Sequence, residues 1–345
     1  MIRLLFEFFK RVRRTMRQQH LRALLVFVCL ILYSTTGFMY FELPDNPELG
    51  WGDALWWSVV TMTTVGYGDF SPGSGLGRMI VGFPTMLLGI SILGYILSVV
   101  ATAMIEAKMR EVRGMNTIDE TGHVVLCHFK DEEDAQNIIN ELRADPLTMG
   151  STVVVVDDGI AELPASLQNQ SVIFVHGDPS REEILAKANA GQARAIMIMA
   201  DTSDREGADN RNLRVALTVR QLYPKVFVVV ECLSPEMVPF FRRLGCGSVV
   251  CIAALTGQML VQEVQDPGIG AVLSELSDNK DGKQLFAMRI RGDTRPYSDL
   301  RQHYRSRGHL LIGIRRDGKN HLVPPLDMEV REGDMAILIA DDRPD

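Results

Sequence analysis

Trp51-Gly-Asp-Ala-Leu-Trp-Trp-Ser-Val-Val-Thr-Met-Thr-Thr-Val-Gly-Tyr-Gly-Asp69 is the stretch on which the reading of this chain turns. Its segment Ala54 to Thr63 carries no charge, yet it is far shorter than the roughly 20 apolar residues that cross a bilayer. Two longer runs bracket it. Ala23 to Phe41 holds nineteen residues without a charge, and Met79 to Ile105 holds twenty-seven. A short apolar segment between two spans reads as a re-entrant helix, because backbone buried at membrane depth must satisfy its own hydrogen bonds. A cleaved leader is disfavoured for the first run. It is long for one, and no small-residue cleavage site precedes Glu42, Pro44 and Asp45.

The flanks give an orientation. Lys10, Arg11, Arg13, Arg14, Arg17 and Arg22 precede the first run, and Glu42, Asp45 and Glu48 follow it. Excess Lys and Arg stay inside, so the chain is expected to start and end in the cytoplasm, with 42–78 outside. Arg11, Arg14 and Arg17 recur as gating charges would, but they precede any partner helix and read as a basic segment on the membrane surface. Over all 345 residues, 46% are hydrophobic, 23% are charged and the net charge is -7. Such a balance argues against nucleic acid as a partner. Five cysteines without a C-x-x-C spacing fit reduced thiols.

Thr64-Val65-Gly66-Tyr67-Gly68 follows the short helix. Stripping water from an ion needs a row of oxygens, and backbone carbonyls form one only if alternate residues adopt dihedrals open to glycine. Gly66 and Gly68 supply that freedom, and Thr64 adds a hydroxyl. The helix ending near Thr63 turns its partly negative end toward a cation. Thr63 to Asp69 resembles the signature of potassium channels, and 20–106 resembles their pore module. That resemblance implies K+ as the permeant ion, a homotetramer, and a filter at Thr64, Val65, Gly66, Tyr67 and Gly68. In the second span Gly82, Gly89 and Gly94 interrupt a good helix and Pro84 removes a hydrogen bond. Gly89, or else Gly94, is a hinge candidate against a plain close-packing role, and Leu97 is the candidate gate.

Beyond a charged helical linker, short apolar strands alternate with helices. Strands are expected at His123–Cys127, Thr152–Val156, Val172–Val175, Ala195–Met199, Val226–Glu231 and Ser248–Ile252. Helices are expected at Glu132–Arg143, Arg181–Ala190, Arg211–Leu222, Pro235–Leu244 and Ala254–Gln265. This rhythm predicts a parallel, doubly wound α/β sheet. After Leu276, strands at Leu285–Ile290, Leu310–Ile314 and Met335–Ile339 predict a small α+β lobe. The expected divisions are 1–22 basic segment, 23–106 pore module, 107–121 linker, 122–266 Rossmann-like lobe and 267–345 C-terminal lobe.

The His176-Gly-Asp-Pro-Ser180 turn, followed by Leu185, Ala186 and Ala188, resembles the regulator-of-potassium-conductance (RCK) domains of prokaryotic channels. The resemblance covers nearly the whole chain. It implies a channel in a prokaryotic inner membrane, gated by a ligand on a cytoplasmic ring of eight such domains, with free copies starting near Met115 as one source of the other four. The ligand is left open. A dinucleotide needs Gly-x-Gly-x-x-Gly after the first strand, where His128, Lys130 and Glu133 stand instead, and Asp131, Glu132, Glu133 and Asp134 would repel phosphate. Asp157 could still hold a ribose, so NAD or another nucleotide is the weaker expectation. Asp178, Asp201, Asp204 and Glu231 lie at or after strand ends and could gather Ca2+, with Asp201 and Glu231 as the metal pair. In the calcium-gated relative of this family the fifth strand ends in two glutamates two residues apart; Glu231 matches the first, but Leu233 stands at the second. A solvated acidic rim accounts equally for these acids. The rival class is a membrane-tethered, nucleotide-dependent enzyme or redox sensor, which leaves Thr64–Gly68 unexplained.

Overall fold

The computed structural model describes residues 18–344 apart from 130, 169, 203 and 281. The basic segment before Gln18, with Arg11, Arg14 and Arg17, lies outside them. The chain divides into two compact units, 1–108 and 109–345.

In the first unit, α1 (Gln18–Glu42) and α2 (Trp51–Met62) precede a π-helical turn (Gly77–Gly82) that runs into α3 (Phe83–Val112). Ala23–Glu42 and Gly77–Val112 are each long and apolar enough to cross a membrane. Few of their side chains are buried in this chain, whereas the core helix of a soluble protein would be mostly covered. The wide turn has a local cause. Pro84 has no N–H for the carbonyl of Ile80, four residues back. The Tyr33 hydroxyl, reaching across from α1, donates to that carbonyl. Glu42 ties the outer end together: Oε2 accepts from the Gly73 amide at 2.8 Å, and Oε1 from the Ser74 hydroxyl at 3.1 Å.

In the second unit, β1 (Val124–Cys127), β2 (Val153–Asp157), β3 (Val172–His176), β4 (Ala195–Ile198), β5 (Phe227–Cys232) and β6 (Ser248–Cys251) form a parallel sheet in the order β3-β2-β1-β4-β5-β6. Both faces of β1 and β2 are buried, which is why these strands are unbroken Val and Leu runs. Their covering helices are α4 (Glu132–Ala144), α5 (Glu182–Lys187), α6 (Arg205–Leu222) and α7 (Val238–Arg243), and α8 (Ile252–Gln265) and α9 (Ile269–Ser277) lead out of the sheet. Gly114 lies before β1 at φ +64°, and a Cβ there would fall 2.3 Å from the His176 nitrogen. Only glycine lets this segment dock on the end of β3, where the Gly114 carbonyl accepts from His176.

The C-terminal lobe holds β7 (Gln284–Arg289), β8 (Arg295–Pro296), α10 (Tyr297–Arg305), β9 (Leu310–Arg316), β10 (Lys319–Leu322), β11 (Glu329–Val330) and β12 (Met335–Ala340). Its main sheet runs β10-β9-β12-β7, antiparallel, and β11 pairs with β8.

Several expectations are corrected. The helix expected at Arg211 begins at Arg205, because Asp204 caps it by accepting from the Gly207 amide at 3.0 Å. The helix expected over Arg181–Ala190 is split, since Asn189 turns left-handed before a short 3-10 turn. The linker helix is the continuation of α3 and stops at Val112. Helices α9 and α10 and strands β8, β10 and β11 have no counterpart in the sequence reading. Short amphipathic pieces acquire their state from the sheet they pack on.

Candidate functional site

The pore segment is built from α2 onward. Gly50 caps the helix, donating its amide to Asp53 Oδ2 at 3.0 Å. Trp57 turns into the unit and stacks on Phe38 of α1 at 4.3 Å. Trp56 faces the other way, stacking on Tyr67 at 5.8 Å and donating its indole N–H to Asp69 Oδ2 at 2.8 Å. At the helix end the Val60 carbonyl accepts from the amides of Val65 and Gly66 at 3.0 and 3.3 Å. Beyond that, left-handed residues alternate: Thr64 at φ +61°, Gly66 at +56° and Gly68 at +75°. A Cβ at Gly66 or Gly68 would meet nothing within 4 Å. Glycine is required there for dihedral angle and not for space. Thr64 also takes the left-handed conformation, which a β-branched residue does not announce in sequence.

On α3, Gly89 and Gly94 separate. A Cβ at Gly89 would lie 2.7 Å from Met62 Cα, so the inner helix touches the last residue of α2 there. At Gly94 the same atom would be in open space. Leu97 is 61% exposed in the single chain.

At the carboxyl edge of the parallel sheet, Asp157 closes β2 and is consumed by backbone. Its Oδ2 accepts from the Phe129 amide at 2.8 Å and its Oδ1 from Gly159 and Ile160 at 2.6 and 3.1 Å. His128, at φ +67°, takes the conformation a glycine would hold in a dinucleotide loop. Burial lowers its pKa, with Asp157 opposing. Asp178 accepts from the Ser180 amide at 2.8 Å. The pKa of Asp178 is lowered although burial, the largest influence on it, works the other way. The bonds from Ser180 and the nearby Arg214 outweigh that burial. Asp201 and Asp204 share one guanidinium, Arg211, at 3.1 and 3.3 Å. Glu231 accepts from the Ala200 amide at 2.7 Å.

Residues 26–106 match the ion-channel family, and 119–230 match the calcium-activated potassium channel slowpoke-like RCK domain. The chain is 25% identical over 324 residues to YugO, a putative potassium channel protein of Bacillus subtilis, covering 91% of this chain and 94% of that one. It is also 25% identical over 294 residues to the calcium-gated potassium channel TvoK of Thermoplasma volcanium, covering 83% and 81%. The human SLO3 gating ring superposes with a TM-score of 0.50 at 17% identity, over 63% of this chain and 44% of that one. This chain is a potassium channel with an RCK regulatory domain.

The sheet edge does bring Asp201, Asp204 and Glu231 to neighbouring strand ends, but toward Arg211 and a backbone amide. Among the described residues no three His, Cys, Asp or Glu side chains are placed to hold a metal ion. Asp157, the carboxylate expected to take a ribose, accepts from the Phe129 amide and so holds the loop after β1. Sequence reasoning missed Asp69 and Glu42 as structural groups of the pore module. An acid directly after the glycines, with Trp56 thirteen residues earlier, is the available signal for the first; for Glu42 the sequence offers only a flanking charge.

Proposed function

We propose that four copies of this chain form a K+-selective pore whose filter is Thr64, Val65, Gly66, Tyr67 and Gly68. The alternation of left-handed residues at 64, 66 and 68 carries this reading, because it turns successive carbonyls toward one side and so makes a column of oxygens. K+ is the substrate of that column. One chain supplies one wall, so closure needs a symmetric ring of copies, and a tetramer is the ring that fits a single file. The pore lies in a prokaryotic inner membrane with both termini in the cytoplasm, on the strength of the basic flank before α1. There the RCK domains, eight in a ring when free copies starting near Met115 join, respond to a ligand at the carboxyl edge of the sheet. Gly94 is the better hinge, since bending at Gly89 must first break its contact with Met62. Leu97 is the gate.

Purified channel in bilayers, with unequal K+ and Na+ on the two sides, tests the filter. Wild type should reverse near the K+ equilibrium potential. Gly68→Ala should abolish K+ current or admit Na+ while the oligomer still assembles. Unchanged current and reversal potential in Gly68→Ala would reject the filter.

A further inference from the structure

The last strand of the parallel sheet carries a feature that ion conduction does not use. Cys232 ends β5 and Cys251 ends β6, and the two are register partners on adjacent parallel strands. Paired residues of a parallel ladder point to the same face, about 4.7–4.9 Å apart along the hydrogen-bonding direction. A disulfide spans Cα separations of about 4.4–6.8 Å, so the backbone already lies in range. The Cys232 thiol reaches the Ser234 carbonyl at 3.7 Å.

The two sulfurs are not equivalent. Cys232 is buried in the sheet core, whereas Cys251 is partly open to solvent. Cys251 is also the N-cap of α8, a 14-residue helix, and so stands at the junction between sheet and helix. A solvent-reachable sulfur, with a second, buried sulfur at the paired position of the next strand, is the arrangement of an attacking and a resolving cysteine. Cys246 serves as an internal control. It lies before β6 and outside the register pair.

We propose that Cys232 and Cys251 form a reversible disulfide when the channel meets hydrogen peroxide, and that this bond regulates the channel by fixing the junction between the sheet and α8. The Cys251 thiolate attacks one peroxide oxygen; the O–O bond breaks and the leaving hydroxide is protonated to water. Cys232 sulfur then displaces the hydroxyl of the Cys251 sulfenic acid, forming the S–S bond, and its own proton leaves with that hydroxide as a second water. Two thiols are oxidised by two electrons and one peroxide is reduced. A dithiol reductant reverses the step.

The test uses the full-length channel in detergent or vesicles, with graded hydrogen peroxide followed by alkylation and peptide mapping. The expected result is a peptide linked through Cys232 and Cys251 that has lost two hydrogens and disappears with dithiothreitol, while Cys246 stays alkylatable. Cys232→Ser should instead leave Cys251 as a sulfenic acid that dimedone captures. Wild-type open probability should shift with peroxide and return with dithiothreitol, and Cys251→Ser should not respond. Equal alkylation of Cys232 and Cys251 before and after peroxide in wild type would overturn the disulfide without recourse to any variant. A linked peptide with unchanged open probability would overturn the regulatory role.

Discussion

Arg211 shows what one residue can decide. Its guanidinium holds Asp201 and Asp204, so positive charge is already supplied where a cation would otherwise be drawn. Arg211→Gln should release both carboxylates and strengthen calcium binding by the channel, read as a new or larger heat signal in calorimetric titration. Glu231→Gln added to that variant should take the gain away, because calcium needs several oxygens at once. No calcium-dependent heat in either protein removes this edge from the list of cation sites. Gly68 is decisive in another way. An alanine there must hold φ +75° without any compensating contact, at about 1–2 kcal/mol per chain.

Among the elements, α3 matters most to gating, and its two glycines differ. Gly89→Ala inserts a methyl against Met62 Cα, an overpacking worth about 1–3 kcal/mol. It should lower the yield of assembled channel, as judged by size-exclusion chromatography. Gly94→Ala meets open space and should assemble normally while shifting open probability. Leu97 lies one turn below Leu93 with its side chain outside this chain's own packing. Four aspartates at a pore-facing Leu97 would repel and hold water, so Leu97→Asp should raise open probability without ligand. If the residue faces lipid, the same change costs about 2.5–3.5 kcal/mol per chain and lowers expression with no such rise. Single-channel recording of the purified variant separates the two.

At the scale of the whole molecule, the RCK domain carries a buried histidine that links its stability to pH. His123 is 1% exposed, and one ring nitrogen lies 2.9 Å from the Ala188 carbonyl. Burial lowers its pKa below 6.5, against the pull of the Ala188 carbonyl and Glu120. The sign follows from linkage. The fold prefers neutral His123, so its contribution is fully present above pH 6.5 and is lost as pH falls through the lower folded value. Melting of the RCK unit, followed by calorimetry in the full channel, should therefore drop below pH 6.5. His123→Gln should flatten that slope while lowering stability at neutral pH. An unchanged slope in the variant would exclude His123 as its source.

Much of this was legible in the sequence, because the features concerned are local. An uncharged run of nineteen or twenty-seven residues has few homes but a membrane, fully apolar Val runs belong in a parallel sheet, and glycine at 66 and 68 announces its own dihedrals. Tertiary structure decided whatever depends on which groups meet. The use of Asp157 to hold the Phe129 loop and the approach of Gly89 to Met62 each join residues from different elements. So does the pairing of Cys232 and Cys251, nineteen residues apart in the chain but neighbours across one strand pair. A carboxylate or a thiol has the same formula whether free to bind a ligand or already satisfied by its neighbours, and only the folded chain fixes which neighbours those are.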